Sequence, residues 1–207
     1  MMKPSSHATN FADHPGGTPA PRLGVGPHRG RRGGEVSGSC LMEYVSMFAG
    51  ESFSDLPECT HPAVAVVAWR INDELCTATR QRLLSRAPTL VGAGRGLSRP
   101  VRPIVLGVIA DAALALDPDH RYFRRLRRRV DSPPVAAGDD TRGRLATCWR
   151  HLVPLNIAMT QFLWVVSSYS ANREQREQHV IDLLDACLAA VQLDPTSPAP
   201  AVAACRT

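Results

Sequence analysis

Apolar positions recur at helical spacing along the middle of the chain, and no segment alternates as a strand would. Val64, Val67, Ala68, Ile71 and Leu75 follow the i, i+3, i+4, i+7, i+11 rhythm of one helix face. The "THP" before them offers Thr60 as a cap and Pro62 for the first turn. Upstream, the pattern predicts a helix from Cys40 to Ala49, ended by Gly50 in the left-handed conformation. Thr77 is placed to cap a short helix to about Ala87, and "LVGAGRGLSRP" then reads as a Gly-rich loop. Ile104 to Leu116 is apolar nearly all round, the signature of a buried helix. An amphipathic helix from Asp119 to Val130 and the polar loop "DSPPVAAGDDTRG" follow. Leu152, Leu155, Met159, Phe162, Leu163 and Val166 then mark a long helical region, kinked or restarted at Pro154. Asn172, with Gln175 three residues on, suggests a capping box for a last helix whose stripe is Val180, Leu184, Cys187, Leu188 and Val191.

These elements predict an all-α protein, a single irregular bundle of six to eight helices spanning residues 39–193. Residues 1–38 hold eight Gly and five Pro with almost no apolar periodicity. That composition cannot offset the entropy of ordering a backbone, so the expectation is a disordered Gly/Pro-rich arm. Residues 194–207 read as a second disordered tail for the same reason.

Composition changes the picture in two places. Aromatic residues are only 5% of the chain, so the core has to be built from Ala, Val and Leu. The formal net charge of +5 is local: residues 121–129, "RYFRRLRRR", hold six Arg and no acid, and the rest sums to −1. The 23 Arg stand against one Lys, a bias that genome composition alone can produce, so the count of Arg carries little. The six Cys occur without the apolar run of a secretory signal, so the expectation is a reducing, cytosolic setting with free thiols. The two most apolar runs are 13 and 15 residues long and contain polar residues, which predicts core helices and no membrane span.

The densest chemistry is "SCLMEYVSMFAGESFSDLPECTHP", residues 39–62, with two Cys, a His and the carboxylates Glu43, Glu51, Asp55 and Glu58. Cys40, Cys59 and His61, with Asp55 as a fourth ligand, are the residue types zinc accepts. The single Cys-x-His without a Cys-x(2–4)-Cys knuckle argues against it. Alternatively Cys40 at a helix start is a nucleophile, with His61 as base and Asp55 as its orienter. The absence of strands weakens that reading, because Cys–His hydrolases generally set the His on one. The simplest account is a connection between two helices, with Cys40 a small buried hydrophobe. No motif calls for a cofactor, and no constellation defines a reaction.

The string from Cys40 to Leu75, with its Cys-Leu-Met-Glu opening, Ala-Gly-Glu, Phe-Ser-Asp, Pro-x-Cys and Asn-Asp, resembles an uncharacterised family of small helical actinobacterial and actinophage proteins. "RAPTLVG" at 86–92 echoes the family's next block, so the resemblance covers residues 40–95. It implies a helical fold and a mobile-element or phage-related setting, and carries no activity with it.

The remaining candidate is the basic helix. Tyr122, Phe123, Leu126 and Val130 share one face, and Arg121, Arg124, Arg125, Arg127, Arg128 and Arg129 fan around the rest. Such a surface suits a nucleic acid or an acidic protein partner. It also suits a solvated face balanced by Asp117, Asp119, Asp131, Asp139 and Asp140. A membrane-surface role is disfavoured by the shortness of the helix and its four-residue apolar side. The expectation is therefore a binding protein acting through this helix, with a metal- or thiol-dependent protein centred on Cys40, Cys59 and His61 as the alternative.

Overall fold

The computed structural model describes residues 22–26, 38–97, 99–132 and 144–192, with side chains described from residue 152 in the last of these. The chain is all-α. Its helices are α1 (Leu41–Phe48), α2 (Pro62–Glu74), α3 (Thr77–Gln81), a 3₁₀ turn (Arg82–Arg86), α4 (Ala87–Leu90), α5 (Val101–Leu116), α6 (Arg121–Asp131), α7 (Arg144–Tyr169) and α8 (Arg173–Gln192). Among the described residues the sole strand-like pairing is a lone parallel bridge between Leu23 and Ser39.

Helix α5 is the centre. Val101, Val105, Leu106, Gly107, Ile109, Ala110 and Ala113 are buried on it, and Ile104, Val108, Ala112 and Leu114 are partly covered. It packs on α2, α6, α7 and α8, which explains a pattern that is apolar nearly all round. The element starts at Val101, ahead of the expected Ile104, because Pro103 falls in the first turn, where its missing amide has no partner to lose. Helix α2 buries all five of its predicted stripe residues and packs on α1, α7 and α8. Helix α7 runs through Pro154 without restarting. The stripe of α8 is buried as its spacing required.

Two caps sit one residue from their expected places. His61, not Thr60, caps α2: its Nδ1 accepts from the Ala63 amide at 3.1 Å. Thr60 is fully buried and donates its hydroxyl to Leu90 O at 2.9 Å, tying α2 to the end of α4. Cys76, not Thr77, is the residue before α3. At α8, Asn172 Oδ1 accepts from the Gln175 amide at 2.8 Å, while Gln175 reaches back to the Ala171 amide instead of closing a capping box on Asn172. Gly50 ends α1 at φ +74 as expected. Gly94, at φ +70, lets the loop pass His61 so closely that a Cβ there would meet the His61 Cβ at 2.9 Å.

The boundary drawn at residue 38 is corrected for residues 22–26. Leu23 is only 2% exposed and belongs to the core. Its amide donates to Gln81 Oε1 at 3.0 Å, and its carbonyl accepts from Gln81 Nε2 at 3.1 Å. Gly24 O accepts from Asn72 Nδ2 at 2.8 Å, and the Gly26 amide donates to Asp73 Oδ1 at 2.8 Å. Asn72, fully buried, also accepts from the Leu41 amide at 3.2 Å, so one amide side chain joins the strip, α1 and α2. Arg80 closes the same region from below, donating to the Asn72 and Leu75 carbonyls at the end of α2. The rest of the arm, and the tail from residue 193, lie outside the described residues.

Leu23→Ala should therefore lower unfolding free energy by about 2–4 kcal/mol, a core-sized loss. Val25→Ala, at an exposed neighbour, should change it by less than about 0.5 kcal/mol. Urea melts of the two variants beside the parent check this; equal, small effects would mean that the strip is not part of the folded unit.

Candidate polyanion interface

The basic helix is held by its apolar side. Phe123 is fully buried, and Tyr122, Leu126 and Val130 are half-buried against the same core. Gly107 of α5 faces this helix: a Cβ there would stand 3.5 Å from Val130 Cγ1, an ordinary van der Waals contact, so α6 packs directly over this position. The Tyr122 and Phe123 rings meet edge to face at 5.0 Å, and His120 lies 4.9 Å from Phe123. With the apolar side fixed, helical geometry puts Arg121, Arg124, Arg125, Arg128 and Arg129 within an arc of about 140° on the solvent side. All five are exposed.

The six arginines are not equivalent. Arg127 lies beside the arc and is committed to the fold, with Nε 2.7 Å from Asp111 Oδ1 of α5 and Nη1 paired to Asp131. Arg124 pairs with Asp119 at 3.2 Å, but both side chains are largely in solvent, so the pair is worth under about 1 kcal/mol. Arg128 Nε donates to the Arg124 carbonyl at 3.3 Å. Arg121, Arg125 and Arg129 make no ion pair with another described residue. No acid occurs within α6 before Asp131. Asp117 and Asp119 precede the helix, while Asp139 and Asp140 lie outside the described residues.

The opening Cys/His stretch behaves differently from either chemical reading of it. Cys40 is fully buried at the N-cap of α1, where its Sγ accepts from the Glu43 amide at 3.4 Å. Glu43 Oε2 in turn accepts from the Cys40 amide at 2.7 Å, a capping box with a thiol in place of a hydroxyl. Burial pushes the Cys40 thiol up to about 12, with the Glu43 carboxylate adding to it, which is the wrong direction for a nucleophile. His61 spends its Nδ1 on the α2 cap, and burial with nearby Arg95 lowers its pKa. Burial raises the Cys59 thiol as well. Glu51 accepts from the Glu58 amide at 2.8 Å, and Ser46 Oγ from the Ser54 amide at 3.1 Å. Among the described residues no three His, Cys, Asp or Glu side chains come together as metal ligands. Cys40 and His61 are thus placed as helix caps, with Cys59 and Asp55 in the connection between α1 and α2.

Three features escaped the sequence reading. Glu177 sits on the core stripe of α8, three residues before Val180, and is 7% exposed. Its carboxylate accepts from Thr79 Oγ1, the Cys76 amide at 3.0 Å, Arg173 Nε at 3.0 Å and the Cys76 thiol at 3.5 Å, fastening α8 to the start of α3. Burial acts to raise this carboxyl, but the hydrogen bonds outweigh it and hold it at about 2. The second is Trp164 of α7, which is 61% exposed. The third is the length of apolar helix around it. Leu152–Tyr169 is long and apolar enough to cross a membrane by length and composition, where the shorter 15-residue run had argued for none. Its Leu155, Ala158, Met159, Phe162, Val165 and Val166 are buried on the core, and 39% of the span is buried in all. A polar cavity of about 480 Å³ lies at the α7–α8 turn, lined by Ser167, Ser170, Asn172, Arg173 and Arg176. Its two guanidiniums are already paired, with Glu177 and Glu74.

The fold and this face together define a helical bundle that presents one cationic helix side to solvent. No family model, curated protein or solved structure matches the chain.

The Glu177 network gives a pH test. A carboxyl held at about 2 when folded, against about 4.5 unfolded, stabilises the fold fully above pH ~5. That contribution fades as pH falls from about 5 towards 2. Glu177→Gln should be roughly 2–3 kcal/mol less stable at pH 7, with the difference from the parent shrinking towards pH 3. Chemical melts at several pH values measure it; a gap independent of pH would mean that the charge is not what holds α8.

Proposed function

We propose that this protein is a nucleic-acid-binding helical module that docks on phosphate backbones through the arginine face of α6. The single observation that supports it most is the exposed arc of Arg121, Arg124, Arg125, Arg128 and Arg129, uninterrupted by acid and braced from behind by buried Phe123. Lining up like charges on one helix is electrostatically unfavourable, since neighbours at i and i+4 repel. An anion that neutralises them relieves that repulsion. Binding of this kind orients the protein by backbone contacts and implies little sequence readout. Cytosolic residence, free thiols and the mobile-element setting implied by the resemblance of residues 40–95 belong to the same reading.

The test is a fluorescence-anisotropy titration of duplex and single-stranded oligonucleotides at several salt concentrations. With about four phosphate contacts the log–log salt slope should be roughly −3 to −4. The variant Arg121→Gln/Arg125→Gln/Arg128→Gln/Arg129→Gln lowers the formal net charge from +5 to +1 and keeps good helix formers in place. It should lose most of the affinity and flatten the slope. Absence of binding by the parent at ~50 mM salt, or equal binding by the variant, would leave the arginines as a solvated face. Binding to an acidic protein but to no oligonucleotide would reassign the partner.

A further inference from the structure

We infer that the exposed indole of Trp164 is a stacking platform for an unpaired base, which makes the α6 face prefer single-stranded nucleic acid to duplex. The inference rests on the phosphate-binding reading above and adds the form of nucleic acid.

Trp164 is the most exposed of the large apolar side chains described, in a chain with few aromatic residues. It is not isolated. Its ring centroid lies 6.1 Å from that of His120, the residue that immediately precedes Arg121 and α6. His120 in turn lies 4.9 Å from buried Phe123, so an aromatic series runs from the core anchor of α6 out to a solvent-facing indole. The indole thus stands beside the N-terminal end of α6, where the arginines begin. Two carboxylates share that end: Asp119 pairs with Arg124, both largely in solvent, and Asp117 accepts from the Asp119 amide at 3.3 Å. A strand whose phosphates follow the arginines could lay one base on the indole face. Aromatic platforms beside cationic grooves recognise single strands in this way, because every base has a π-face while duplex bases are already stacked.

The other occupant of an exposed apolar side chain beside cations is a lipid surface. Val153 and Ile157 are also exposed on α7, but Thr160, hydrogen-bonded to Arg70 at 3.3 Å, and the exposed Ser167 and Ser168 break that face before and after Trp164. The apolar side of α6 is occupied by the core and has nothing to insert into a bilayer. The geometry suits a flat aromatic ligand better.

The experiment compares the full chain with Trp164→Leu and Trp164→Phe. Affinity is measured for a short oligothymidylate, a duplex of similar length and phosphatidylserine vesicles, each across salt. Trp164→Leu should bind oligothymidylate about tenfold more weakly, Trp164→Phe should retain most of the affinity, and duplex binding and its salt slope should not change. Three results overturn the inference: unchanged single-strand affinity in Trp164→Leu, an equal loss for duplex and single strand, or a loss confined to vesicles, which would assign the indole to a membrane. If the parent binds no oligonucleotide, the arginine-face reading fails and this one falls with it. If the parent binds with the expected salt slope and Trp164→Leu does the same, only the stacking fails.

Discussion

The structure depends on burying the broad apolar surface of α5. A helix apolar nearly all round needs cover on more than one side, and α2, α6, α7 and α8 pack on it, leaving Asp111 and Ala115 exposed. That requirement fixes α6 in orientation as well as place. Val130 lies over Gly107 of the central helix, and Phe123 fills the core beneath α6. The arginines then have one direction left. Their exposure follows from the packing of the other side of the helix, and Arg127, the one at the margin, is taken up by Asp111 of the central helix. Site and core are in this sense one construction.

The reactive-looking residues near the N-terminal end of the bundle illustrate how capping consumes chemistry. A helix start leaves amides without partners, and any acceptor near it is drawn to them. Cys40 and His61 each stand at such a start and each accept one amide. A thiol and an imidazole so used are weak candidates for ligands or nucleophiles, and burial moves the Cys40 thiol further from reactivity.

What was legible in the sequence was periodic. The stripes of α2 and α8, the apolar α5 and the cationic α6 each announce themselves through local spacing, and the positive φ of Gly50 follows from its place after a helix. What was not legible is long-range or a matter of exposure. Leu23 meets Gln81, and Cys76 meets Glu177, across stretches of chain that no local pattern connects. A Gly-rich segment reads as an arm because its stability comes from Asn72, Asp73 and Gln81, far away in sequence. Glu177 gave one signal, a carboxylate at a core position of the α8 stripe. Trp164 gave none, since a tryptophan in an apolar run is expected inside. The shift of one residue at the α2 cap arises because Thr60 is claimed by the Leu90 carbonyl, and at α3 Glu177 takes the amide of Cys76, the residue before the helix.

The central claim is that the solvent side of α6 is a ligand-binding face and not merely a soluble one. Titrating the isotope-labelled protein with an oligonucleotide at low salt, and following backbone amide, arginine Nε–H and indole signals by NMR, tests it most directly. The shifts should concentrate at residues 120–129 and at the Trp164 indole, with α1 and the connection through residues 50–60 unmoved. Shifts centred on that connection, or none at any residue, would contradict it.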